Sequence, residues 1–132
     1  MAAFQWRVRV YYEDTDSGGV VYYANYLRFM ERARTEWMRA RGFEQDRLRA
    51  EHGLLFAVRS ARVDYLLPAR FNEQLDVSAV VETRGRASLT FRQDVTRAED
   101  ARLLCSGEVK IVCLDADAFR PRPIPEFLFK EL

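Results

Sequence analysis

The sequence predicts an α+β fold of two layers, one long helix lying along an antiparallel sheet of five strands. Three observations carry it. Residues 24–43 repeat their apolar residues at helical spacing, five other segments alternate apolar with polar residues, and short turns join most of the later strands. The 132 residues match one domain, 1–132, long enough to bury a core without disulfide staples.

The first strand is expected over 5–12, "QWRVRVYY", with Trp6, Val8 and Val10 on one face and Arg7 and Arg9 on the other. A loop rich in Asp, Gly and Tyr follows. The helix then carries a stripe through Tyr26, Met30, Ala33, Trp37 and Ala40, flanked by Arg28, Glu31, Arg32, Arg34, Glu36 and Arg39. Arg32 and Glu36 are one turn apart and predict an ion pair, and Gly42 is a helix stop. Residues 44–52 suggest a short second helix. Strands are expected over 54–68, 74–84, 87–97 and 102–115. In the second of these Leu75, Val77, Ala79 and Val81 share a face, and in the third Leu89, Phe91 and Val95 do. "RGR" at 84–86 is a tight turn around Gly85. The Pro-punctuated tail, 119–132, is expected to wrap the surface. A helix of about 18 residues spans roughly 27 Å, the length of a strand of about eight residues, so it covers one sheet face. The uncovered remainder favours oligomerisation.

Composition narrows the function classes. Lys and Arg total 21 against 20 for Asp and Glu, a balance that argues against a nucleic-acid partner. The N-terminus, "MAAFQWRVRV", lacks the apolar stretch of a signal peptide. No apolar run approaches the roughly 20 residues of a membrane span. Cys105 and Cys113 lie eight apart on one strand, roughly 25 Å, too far for a disulfide within it. They are expected to be reduced and buried, as in a cytoplasmic protein.

Function is concentrated in residues 11–26, "YYEDTDSGGVVYYANY". Three readings compete. Asp14-x-Asp16-x-Gly18 loosely echoes a calcium loop, but its twelfth position is Asn25 and not a bidentate Glu. The chain has one histidine, His52, so no zinc or iron cluster is expected either, and no metal site is assigned. The second reading is a structural turn, Asp and Gly being turn formers. The third is a catalytic carboxylate beside a helix start. The first-turn N–H groups have no intrahelical acceptors and receive a developing oxyanion. That pairing suffices for hydrolysis of an activated acyl group such as a thioester.

The string from Asp14 to Tyr26, preceded by Tyr11-Tyr12-Glu13 and followed by Glu31-Arg32-Ala33-Arg34-Thr35-Glu36, resembles the hotdog-fold thioesterases. It is closest to their YbgC branch, associated with the Tol–Pal system, and is similar to the 4-hydroxybenzoyl-CoA thioesterases. The likeness extends through "DYLLPARFNEQLDV" (64–77), "RASLTFRQ" (86–93) and "RPRPIP" (120–125). It implies a hotdog fold, an antiparallel five-stranded sheet wrapped around one long helix. It also implies dimers joined sheet edge to sheet edge, often paired into homotetramers, with active sites between subunits.

The resemblance assigns the working carboxylate to Asp16, as nucleophile or as general base. It makes the backbone N–H of Tyr23 the group that polarises the thioester carbonyl. Many YbgC members carry His where this chain has Tyr23. The resemblance implies an acyl-CoA substrate, so coenzyme A is part of the substrate and no separate cofactor is expected. An acyl carrier protein is a further candidate partner, and the inner-membrane surface a candidate location.

The Gly18–Gly19 pair lets the backbone approach a ligand closely; Gly19 and Val20 are candidate substrate contacts, and Tyr22 is a candidate acyl-pocket wall. Arg84, Arg86 and Ser88 are family-like positions for CoA phosphate contact, which Arg suits chemically. Asp14 is read as bonding backbone in its own turn, Asn25 and Tyr26 as supporting loop and core, and His52 as a helix-end residue. An alternative is a non-catalytic acyl-CoA or acyl-carrier-protein binding module on the same fold. A hotdog hydratase or dehydratase, which would want a catalytic His, is the third.

Overall fold

The computed structural model describes residues 3–132. Strands β1 (Phe4–Arg9), β2 (Leu54–Tyr65), β3 (Gln74–Arg84), β4 (Ser88–Arg97) and β5 (Leu103–Asp115) form one antiparallel sheet in the order β1-β3-β4-β5-β2. Helices α1 (Asn25–Ala40), α2 (Gln45–His52) and α3 (Glu126–Phe129) complete the fold. This is the hotdog arrangement. Hairpins join β3 to β4 and β4 to β5, as the alternation predicts. The chain also crosses from β2 at one edge to β3 beside β1, a step that periodicity does not disclose.

The core lies between α1 and the sheet. Cross-strand pairs such as Val8↔Leu75, Val77↔Val95 and Phe91↔Val109 bury one sheet face. Tyr26, Met30, Ala33 and Trp37 of α1 pack into it, and the Trp37 ring meets Phe91 edge-on at 5.0 Å. Burial of each such large apolar side chain contributes about 1.5–3 kcal/mol. Cys105 and Cys113 are free and buried, as expected.

Several local expectations are corrected. β1 ends at Arg9, because residues 11 and 12 turn away into a 3₁₀ turn (Tyr12–Asp14). Trp6 faces the same way as Val8 but stays 40% exposed, since β1 is an edge strand with no further strand beside it. Ala40 is exposed at the end of the stripe. Glu36 pairs with Arg39 and not Arg32; Arg39 also bridges to Glu44 at 3.0 Å, fixing the α1–α2 corner. Arg34, expected on the charged flank, is buried. The tail does more than wrap the surface, for Ile124, Leu128 and Leu132 enter the core.

Candidate active site

The loop between β1 and α1 is built around two aspartates in opposite environments. Asp14 is buried. Its Oδ2 accepts the Tyr11 N–H at 2.8 Å and its Oδ1 accepts the Asn25 side-chain amide at 2.6 Å. It therefore ties the end of the 3₁₀ turn to the first residue of α1. Asp16 is exposed. Its Oδ1 accepts the Gly18 N–H at 2.8 Å, and its Oδ2 has no partner among the described residues.

Asp16 opens a three-residue hairpin loop. Its N–H donates to the Val20 carbonyl at 2.9 Å, and its carbonyl accepts the Gly19 N–H at 3.0 Å. Gly19 closes the loop at φ 79°, a conformation a side chain would strain. The loop is then pinned to the connection between β2 and β3. Val21 donates to the Ala69 carbonyl at 2.9 Å, and the Tyr26 hydroxyl accepts the Ala69 N–H at 3.1 Å. Burial is the leading cause that pushes the Tyr26 hydroxyl above its ordinary pKa.

The Tyr23 N–H has no acceptor among the described residues, and only Ala24 separates it from α1. The Tyr22 and Tyr23 rings lie 4.8 Å apart. The Tyr22 hydroxyl is raised above its usual pKa first by the Tyr23 hydroxyl, with the nearby Asp16 carboxylate acting in the same direction. Tyr23, at 61% exposure, meets Tyr65 of β2 edge-on at 6.2 Å. A 260 Å³ cleft lies here among Val21, Tyr23, Tyr26, Tyr65, Leu66, Leu67 and Pro68.

Further along α1 a separate groove follows the seam between α1 and β2. Its main part, 560 Å³, is lined by Leu27, Arg28, Glu31, Arg32 and Arg34 of α1, by Val58 and Ala61 of β2, and by Val109 of β5. Val58 and Ala61 lie opposite the core residues Ile111 and Val109, yet Val58 is 54% exposed. A free carboxylate and an unpartnered N–H thus share one loop, and Tyr23 borders the cleft beside it.

A family model described as the Thioesterase-like superfamily matches residues 10–132. The chain is 44% identical over 128 residues to the acyl-CoA thioester hydrolase YbgC of Escherichia coli, covering 97% of this chain and 94% of that protein. The chain belongs to the thioesterase-like superfamily. A probable thioesterase from Bartonella henselae superposes with a TM-score of 0.88 at 31% identity, covering 94% of this chain and 100% of that one. A 4-hydroxybenzoyl-CoA thioesterase mutant in complex with 4-hydroxybenzoyl-CoA shares the fold. Its TM-score is 0.89 at 20% identity, with 98% and 97% of the two chains covered.

In this thioesterase-like chain Asp16, Gly19, Val20, Tyr22 and Tyr23 fall together in the loop. Arg84, Arg86 and Ser88 do not join them. Gln74, at the start of β3, pairs with Arg9 beside the loop, whereas Arg84 ends the same strand, roughly 33 Å away. There Arg84 lies over the Phe129 ring at 5.4 Å and donates to the Phe129 carbonyl at 3.2 Å, while the Arg86 carbonyl accepts the Ile124 N–H at 2.9 Å. Sequence reasoning missed Arg34 and Gln93. The Arg34 Nη1 donates to the fully buried Gln93 Oε1 at 2.9 Å, and the Gln93 Nε2 donates to the Met30 carbonyl at 2.9 Å. The signal was present. Position 93 has the inward phase of Phe91 and Val95, and 34 continues the row 26, 30, 34, 38.

Proposed function

We propose that the protein hydrolyses acyl-CoA thioesters, with Asp16 as the working carboxylate and the Tyr23 N–H as the donor to the thioester oxygen. One observation carries the reading: an exposed carboxylate with a free oxygen and an unpartnered N–H at a helix start lie in one short loop. The carbonyl oxygen gains negative charge as the carbonyl carbon is attacked, and a fixed N–H beside the positive end of α1 stabilises that charge. Asp16 either attacks the carbon itself or takes a proton from the attacking water. In the first route the CoA thiolate leaves an acyl–Asp16 anhydride that water then hydrolyses; in the second, water adds to the carbon as the thiolate leaves; both routes release the carboxylic acid. The acyl group extends into the cleft by Tyr65 and along the α1–β2 groove, as its apolar lining favours.

The open β2 edge supports a dimer in which the β2 strands of two copies pair antiparallel. A two-fold axis through that edge reverses the partner sheet. The partner's Arg84, Arg86 and Ser88 then lie at the same end as this chain's Asp16. This geometry reconciles the CoA-phosphate role of the hairpin with its distance from the loop in one chain.

The test is thiol release from short, long and aromatic acyl-CoAs by the wild-type protein and Asp16→Asn. Saturable release that the variant loses supports hydrolysis. CoA esters that bind without any release would instead identify an acyl-CoA binding module.

A further inference from the structure

The groove contains a charge that the proposed chemistry does not use. Arg34 is only 9% exposed and borders both the main groove and a smaller 110 Å³ extension beside Thr35, Met38 and Phe56. Its Nη1 binds the Gln93 amide oxygen; its Nε and Nη2 donate to no acceptor among the described residues. No carboxylate lies within ion-pair distance of it among those residues. Glu31, one turn back on α1, is the one acid bordering the groove and is exposed, while Arg28 and Arg32 at the rim add positive charge. Burial pushes the Arg34 guanidinium below its ordinary pKa, with Glu31 acting the other way; an arginine nevertheless stays charged at neutral pH.

A buried cation whose one nearby acid, Glu31, is exposed and makes no ion pair with it is poorly compensated, and a methyl group driven against it adds to the cost. A carboxylate reverses the sign, because a guanidinium fork receives it through two parallel hydrogen bonds. We propose that Arg34, held by Gln93, reads the far end of the acyl group and selects acyl thioesters ending in a carboxylate.

The inference rests on the hydrolase reading above and names its substrate class. It also fixes a length. Arg34 lies roughly 14 Å along α1 from its first residue, Asn25, which Tyr23 precedes by two positions, and an arginine on a helix leans back toward its start. The carboxylate preference is therefore confined to medium-length chains.

The test compares kcat/KM within matched pairs on the wild-type protein: succinyl- and butyryl-CoA, adipoyl- and hexanoyl-CoA, suberoyl- and octanoyl-CoA, sebacoyl- and decanoyl-CoA. The expected result is a preference of about tenfold or more for the carboxylated member in the medium-length pairs, the equivalent of one well-made contact, and none for succinyl. In Arg34→Met the ratio falls below one, whatever happens to the absolute rates, and Arg34→Lys restores part of it. A merely structural role for Arg34 would slow both members of a pair equally. Ratios at or below one for all four wild-type pairs overturn the proposal even if Arg34→Met does not fold. They leave the hydrolase reading standing, since the alkanoyl esters are still cleaved. No release from any of the eight esters would sink both.

Discussion

Exchanging each loop aspartate for asparagine separates catalysis from architecture. Asp16→Asn removes one charge and almost no geometry. The new amide oxygen still accepts the Gly18 N–H, now 2.8 Å from Oδ1, and the exposed side chain crowds nothing. Stability should shift by less than about 0.5 kcal/mol, as for other exposed positions. Turnover should fall by about 10²–10⁴, the usual contribution of a positioned acid–base group, or about 3–5 kcal/mol of barrier.

Asp14→Asn should do the reverse. Asp14 accepts from two donors, Tyr11 N–H and the Asn25 amide, and an asparagine offers one oxygen and one NH₂ group. A buried donor then faces a donor, at a cost of about 1–3 kcal/mol. The assay is thiol release at saturating acyl-CoA beside a thermal melt of each variant. An Asp16→Asn protein that keeps turnover within tenfold of wild type refutes the assignment. So does an Asp14→Asn protein that loses turnover with an unchanged melting temperature, which would move the working carboxylate to Asp14.

Two further outcomes follow from buried groups. Tyr26→Phe leaves the Ala69 N–H without its acceptor at 3.1 Å, costing about 1–3 kcal/mol and loosening the loop; urea denaturation reads the loss, and an unchanged midpoint would refute it. The Cys105 thiol is pushed up to about 12 by burial, and Cys113 is raised for the same leading reason. Both remain protonated at pH 8 in the folded state and should resist iodoacetamide, which attacks the thiolate. Mass spectrometry should find both alkylated only after unfolding, and rapid native labelling of Cys105 would contradict its burial.

The fold was legible because two periodicities dominate the sequence. β3 runs from Gln74 to Arg84, where its alternation begins and ends, and Tyr26, Met30, Ala33 and Trp37 form the buried stripe. What escaped depends on neighbours distant in sequence. Trp6 alternates correctly but sits on an edge, and strand order is absent from any local pattern. Arg34 looks like a surface charge until Gln93, 59 residues away, is seen to accept from it. The loop was legible in kind, two acids and two glycines before a helix. Which acid is buried was settled by the Asn25 amide, whose partner sequence spacing alone does not identify. The hairpin residues Arg84, Arg86 and Ser88 were grouped with the loop through the family likeness, although a single chain holds them apart.

The same geometric shortfall that opens the groove also links activity to assembly. A helix with its side chains is about 10–12 Å across, while five strands at about 4.8 Å spacing span about 19 Å. One helix therefore cannot cover the sheet. β2 is the strand left out, and its inward residues Val58 and Tyr65 remain half exposed beside Leu27 and Tyr23. The proposed acyl groove and the surface that a second copy would cover on this reading are one strip. If the paired copy walls the groove, a separated chain keeps Asp16 and the Tyr23 N–H but holds the acyl group poorly. Specific activity should then fall on dilution in step with the loss of dimer, with KM rising before kcat changes. Thiol release measured over a dilution series, alongside sedimentation, tests this. Constant specific activity across a range in which the protein dissociates would show that one chain forms the whole site, and the partner's hairpin would lose its assigned role.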